Sequence, residues 1–213
     1  MLSISQPTPS IQDTLLESLR GKFLIVYAGT LEPYQGIDIL IRAFRYVTDE
    51  VSQAFLLIVG GTQEQVEYYS DLATECQISQ FCYFTGRVPQ ALAKYYADHA
   101  HIQVSPRISG TNTPLKVYEQ LARGIPLVAT NIYSHTQVLT QDVAFLVRPE
   151  PLDLARGILT ALEDKTEAQH RAANAQTLYE QNYSRRIYTE KMKQVFALIG
   201  RDGRQEAGIR NEE

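Results

Sequence analysis

The chain has 213 residues and a mass of 24.1 kDa, a length that favours one domain with extended ends over two full-sized ones. Its 44% hydrophobic and 21% charged residues supply a core and exclude compositional disorder. Twenty basic residues against 24 acidic ones leave a net charge of −4, which argues against a general nucleic-acid binder, and Cys76 and Cys82 alone are too few for a disulfide scaffold or a zinc site.

Residues 1–10 are rich in Pro and Ser and precede a short amphipathic stretch, Ile11–Leu19. Residues 1–20 therefore read as a linker-like segment or a fraying helix. From there short apolar runs alternate with helical patterns. Six strands are predicted at Phe23–Ala28, Ala54–Val59, Cys82–Thr85, His101–Ser105, Pro126–Thr130 and Val143–Val147. Each is close to continuously apolar, as strands covered on both faces are. Between them, Ile39, Leu40, Ala43, Phe44 and Val47 form one stripe of a 3.6-residue period. The strand starts lie 17 to 31 residues apart, the span of right-handed βαβ crossovers. The fold class is α/β: a single doubly wound, parallel, six-stranded sheet of Rossmann type with extra C-terminal helices. Beyond Asp153 the pattern is helical without strands, through Leu154–Leu162, Glu167–Tyr183 and Arg186–Ile199. Residues 200–213 are charged and Gly-containing and are expected to form a disordered tail.

The longest apolar runs, Phe23–Gly29 and Ala54–Gly61, fall far short of the ~18 residues that span a bilayer. Residues 1–10 lack the basic and apolar regions of a signal peptide. A cytoplasmic protein is expected, one that meets a membrane surface only through a partner.

In an open α/β sheet, ligands bind beyond the carboxyl ends of the strands. The first three strands end at Gly29, Gly60–Gly61 and Gly86, positions that admit a close backbone approach or simply turn the chain. Neither a dinucleotide fingerprint nor a P-loop motif occurs, and the strand ends lack the clustered acids of a phosphorelay receiver. The informative stretch is Ser105–Thr130. A strand ends at Ser105 and a Gly-containing loop follows. Thr113 is placed to cap a helix running from Pro114 to Arg123 and ending at Gly124. Its first amides form an anion site, with Lys116 in the first turn and Arg107 at the strand end. Glu119 lies on the Lys116 face, one turn deeper. Amides and a cation followed by a carboxylate match a ribose diphosphate; a surface Lys–Glu pair has the same spacing.

At these residues the chain resembles the C-terminal, donor-binding domain of retaining glycosyltransferases of the GT-B type, most nearly family 4. The resemblance runs from Gly21 to about Ile199. Its elements are Tyr27–Leu31, Gln35–Leu40, Leu57–Gly61, Phe84–Pro89 and Leu115–Thr130, specific in their order and spacing together. It implies that Glu119 accepts the ribose hydroxyls and that Gly86, Arg87 and Val88 form the base-reading loop. It implies a donor site of Gly29, Thr30, Arg107, Thr111, Asn112, Thr113 and Lys116. Three of the family's charged positions are changed: the partner glutamate falls on Thr111, the arginine on Thr30 and the lysine on Gln35. Arg107 and Lys116 are expected to neutralise the diphosphate in their place. No metal, cofactor or protein nucleophile is implied.

The expected activity is transfer of a hexose from a nucleoside diphosphate sugar to a glycan or lipid-linked acceptor. The expected donor is a UDP- or GDP-sugar. The resemblance implies that an N-terminal acceptor-binding domain or a partner chain completes the enzyme. The alternative is a fragment or interaction module that keeps the fold without donor binding. The apolar residues Met192, Val195, Phe196 and Ile199 fit either an inter-domain contact or ordinary core packing.

Overall fold

The computed structural model describes the backbone of residues 11–208 and the side chains of residues 15–196. Its six strands are β1 (Phe23–Ala28), β2 (Ala54–Val59), β3 (Cys82–Phe84), β4 (Ile102–Ser105), β5 (Leu127–Thr130) and β6 (Phe145–Val147). All pair in parallel, in the order β3-β2-β1-β4-β5-β6. The doubly wound sheet expected from the strand spacing is therefore present, and its order reverses between β1 and β4.

The helices are α1 (Ile11–Ser18), α2 (Ile37–Glu50), α3 (Gln63–Glu75), α4 (Gln90–Asp98) and α5 (Leu115–Arg123). They continue with α6 (Tyr133–Thr136), α7 (Pro151–Glu163), α8 (Lys165–Asn182) and α9 (Arg185–Gly208). Alternation along each strand divides the core. Ile25 and Tyr27 of β1 join Leu56 and Ile58 of β2 under α2, α3 and α7. Leu24, Val26, Leu57 and Val59 face the other way, toward α1 and α4. Because helices cover both faces, the strands read as unbroken apolar runs.

On the second face the core is in two pieces. One lies under α1 and α4; the other joins β5 to α5 and α8 through Leu121, Leu127 and Ala175. The gap between them falls at the β1–β4 reversal.

Three expectations change. Helix α5 starts one residue later than expected: Pro114, at ψ 139°, occupies its N-cap position and no side chain caps it, Thr113 included. Its other end behaves as expected, with Gly124 at φ 63°, the left-handed turn that ends many helices. The backbone of α9 continues to Gly208, into the segment expected as a disordered tail. Val195 and Phe196 of α9 are 46% and 65% exposed, so ordinary core packing does not account for them. Ile199 lies outside the described side chains. So do residues 1–10 and 209–213 in their entirety.

Candidate functional site

Two loops meet above the reversal point: Gly29–Gly36 after β1 and Pro106–Pro114 after β4. Backbone proximity holds them together. The Ile108 amide donates to the Tyr34 carbonyl at 3.0 Å. Gly36 has φ +69°, and a Cβ there would stand 2.2 Å from the Pro106 carbonyl oxygen. The β1 end is equally tight against β2, since a Cβ on Gly60, at φ +119°, would meet the Gly29 carbonyl oxygen at 2.0 Å. Only glycine admits that approach.

Lys116 lies beneath this paired lid. Its Nζ donates to Gln35 Oε1 at 2.9 Å and to the Tyr27 hydroxyl at 3.3 Å, and it stands 4.4 Å from the centre of the Tyr27 ring. Gln35 is 7% exposed. Tyr27 is fully buried, and burial pushes its hydroxyl well above the ordinary tyrosine range, so it stays protonated and donates to the Thr30 carbonyl at 2.6 Å. Among the described residues no carboxylate pairs with Lys116. Burial, helped by the nearby Arg107 guanidinium, pushes its pKa down to about 7. An ammonium held by neutral acceptors beside the open first turn of α5 is a cation placed for an anion.

Buried contacts also set the second loop. His135 is fully buried. Its Nδ1 lies 2.8 Å from the Thr130 carbonyl, so that nitrogen carries the proton. Its Nε2 then accepts from the Ser105 hydroxyl at 3.1 Å. The Thr130 hydroxyl donates in turn to the Arg107 carbonyl. Burial, the largest influence, holds the His135 pKa down to about 4, so this clamp between the ends of β4 and β5 stays neutral. It fixes the backbone of Arg107, whose own Nε donates to the Ser109 carbonyl at 2.6 Å while the guanidinium sits 5.0 Å from the Tyr34 ring centre.

Glu119 takes a different direction from Lys116. It is an exposed side chain 3.6 Å from Arg123, on the wall of a cleft of about 830 Å³ that fills the gap between α4 and α5. Ala28 at the end of β1 forms part of this cleft, with Tyr118, Tyr179 and Tyr183 around it. A small void of about 30 Å³ is lined by both Lys116 and Glu119. The helix thus presents its cation to the lid and its acid to the cleft.

Most of the remaining positions stand at the rim. Thr30 is exposed, and its hydroxyl oxygen lies 3.5 Å from Gln35 Nε2. Thr111 and Asn112 are exposed, and the Thr111 carbonyl accepts from Gln137 at 2.6 Å. Thr113 is partly buried. The Gly86 carbonyl already accepts from the Gly60 amide at 3.0 Å and the Thr85 hydroxyl at 2.8 Å. Arg87 is exposed, and Val88 packs against the α1–α4 cluster. Sequence reasoning missed the Tyr27–Gln35 cradle and the His135 clamp. Gln35 carried a signal as a neutral residue where the resemblance implies lysine; His135 carried none. Among the described residues no group of His, Cys, Asp or Glu could hold a metal ion, and no helix is long and apolar enough to cross a membrane.

Comparison with known proteins identifies the fold and the family. The chain is 22% identical over 187 residues to an uncharacterised glycosyltransferase of Methanocaldococcus jannaschii, covering 86% of this chain and 47% of that protein. It is 25% identical over 187 residues to a phosphatidyl-myo-inositol mannosyltransferase of Mycobacterium leprae, covering 86% and 48%. The chain thus spans about half the length of the curated relatives it matches. The Anabaena protein HepE, solved in complex with UDP, superposes with a TM-score of 0.76 at 20% identity, covering 91% of this chain and 54% of that one. The fold is that of the C-terminal domain of GT-B glycosyltransferases. The family model for glycosyl transferases group 1 matches residues 16–178, and the chain belongs to that family.

Proposed function

We propose that this domain binds the nucleoside diphosphate sugar of a retaining hexosyltransferase of family 4 type, a UDP- or GDP-sugar, and that the acceptor is a glycan or lipid-linked molecule. The observation that carries the reading is Lys116, an enclosed ammonium held by Gln35 and Tyr27 with no carboxylate partner among the described residues. The diphosphate lies between Lys116 and the first amides of α5. The ribose hydroxyls reach Glu119, and the nucleoside fills the cleft between α4 and α5, beside Gly86–Val88. Complexes of HepE with UDP and with UDP-glucose and the mannosyltransferase relative support a sugar nucleotide.

The protein's part in the chemistry is electrostatic. As the bond between the anomeric carbon and the diphosphate oxygen breaks, positive charge grows on the sugar and negative charge on the leaving group. Lys116, Arg107 and the helix amides meet that negative charge, and one well-placed donor of this kind contributes about 3 kcal/mol. The exposed Val195 and Phe196 on α9 suit contact with an acceptor-binding domain or partner chain. A cytoplasmic location, with any membrane contact made through that partner, fits this arrangement.

Calorimetric titration with UDP, GDP and ADP tests the reading. One nucleotide binds the wild type, and Lys116→Ala weakens it by roughly 30-fold or more. Absence of binding to all three nucleotides at millimolar concentration overturns it. A second reading, an interaction module without donor binding, is favoured by the uncharged residues at Thr30, Gln35 and Thr111 and by the Glu119–Arg123 pair; the same titration decides between the two.

A further inference from the structure

A second cleft, of about 440 Å³, borders the same β1 loop but is walled by α2 and α3 instead of α4 and α5. Leu31, Pro33 and Ile108 form its apolar side, and Asp38, Glu64 and Tyr69 are among its polar residues. No lysine or arginine lines it, so its chemistry differs from that of the Lys116 crevice: its side chains offer carboxylates and a phenol in place of a cation.

Its acids are compensated from within. Asp38 and Glu64 stand in the first turns of α2 and α3, where the positive end of the helix dipole offsets a carboxylate. Glu64 is also held below the ordinary glutamate range by its own backbone amide and by Thr62. Asp38 has no ion pair or side-chain hydrogen bond among the described residues. Both carboxylates therefore keep lone pairs for hydroxyl donors without calling for a cation.

Tyr69 points to a ligand independently. It is only 4% exposed as a residue, and its hydroxyl, open to the cleft, makes no hydrogen bond among the described residues. Tyr68 packs edge-on against it with ring centres 5.0 Å apart and remains 64% exposed, leaving a ring against which the C–H face of a sugar can lie.

We propose that this cleft is a binding subsite for a pyranose, with sugar hydroxyls bonded to Asp38, Glu64 and Tyr69 and the apolar face of the ring set against Tyr68. Because the cleft adjoins the loop above Lys116, the pyranose belongs to the acceptor saccharide; that role rests on the donor reading above, whereas the pyranose site does not.

The test uses the full chain and the methyl pyranosides of glucose, mannose, galactose and N-acetylglucosamine, read by saturation-transfer difference NMR. Nucleotide titrations and thermal melts are run on the same preparations. At least one glycoside is expected to show saturation, reduced about threefold or more in Tyr69→Phe and Asp38→Asn. Those variants should melt like the wild type, and tetramethylammonium chloride should not displace the sugar. Silence across the panel, equal signals in the folded variants, or displacement by tetramethylammonium overturns the proposal, the last assigning the cleft to a cation. Glycoside binding without nucleotide binding sinks the donor reading and leaves the pyranose site standing; the reverse pattern sinks the pyranose site alone.

Discussion

Arginines and lysines gather both beneath the paired loops and beside the edge strand β6, and the two regions use them differently. At β6, Arg148 meets Asp153 at 2.9 Å and Arg171 meets Glu167 at 2.7 Å. Arg171 also donates to the Ala144 carbonyl at 3.0 Å and lies 4.3 Å from the Phe145 ring centre. Gln141 closes the strand edge itself, donating to the Leu146 carbonyl at 3.1 Å and accepting from the Leu146 amide at 3.4 Å. Each of these charges is answered inside the fold. Lys116 has neutral partners only, and Arg107 bonds to a carbonyl of its own loop. A cation with its own acid is part of the framework, whereas one solvated by an amide and a phenol keeps most of its field for an incoming anion.

The largest expected effect removes the support beneath the Gly29–Gly36 loop. Gly60→Ala forces a Cβ into the Gly29 carbonyl oxygen at a left-handed φ and should cost about 3 kcal/mol or more, read by urea unfolding. Next, exchanging the charges sharpens the contrast. Arg171→Ala should lower stability by about 2 kcal/mol and leave nucleotide affinity unchanged. Lys116→Ala should do the opposite, losing nucleotide affinity without any loss of stability at neutral pH. If Arg171→Ala abolishes nucleotide binding, or Lys116→Ala leaves it intact, the division between framework and site fails.

Acidity separates the regions more gently. An anion favours the charged form of Lys116, whose pKa in the free protein is about 7. Nucleotide affinity should therefore fall by about tenfold or more between pH 6.5 and 8.5, with proton uptake on binding seen as a buffer-dependent heat. Stability of the free protein moves the other way. The folded pKa lies below the ordinary 10.5, so between about pH 7 and 10.5 the unfolded chain holds more of this proton and folding gains as pH rises. The melting temperature of the wild type relative to Lys116→Gln should climb across that window; a flat difference rejects the enclosed ammonium. The smallest effect is expected at Gln141→Ala, about 0.5–1 kcal/mol, with more self-association at the uncovered β6 edge in sedimentation experiments.

The sheet was legible from the order of residues alone. Apolar runs at crossover spacing located all six strands, because a strand buried on both faces has no polar alternation to blur it. Gly124 marked the end of α5 for an equally local reason, its left-handed turn. The motifs from Tyr27 to Thr130 likewise carried the family. The wiring of the site came from packing between distant segments. Lys116 and Glu119 share a helix face by spacing, yet one turns under a loop 81 residues away to meet Gln35 and the other pairs with Arg123. Helix periodicity fixes where a side chain starts, and the neighbours contributed by other strands fix where its charge is held. For the same reason nothing local marked His135 as the clamp of the Arg107 loop, or set Asp38 of α2 and Tyr69 of α3 around one cleft. Those partners become neighbours only when parallel crossovers bring successive strand ends to one side of the sheet.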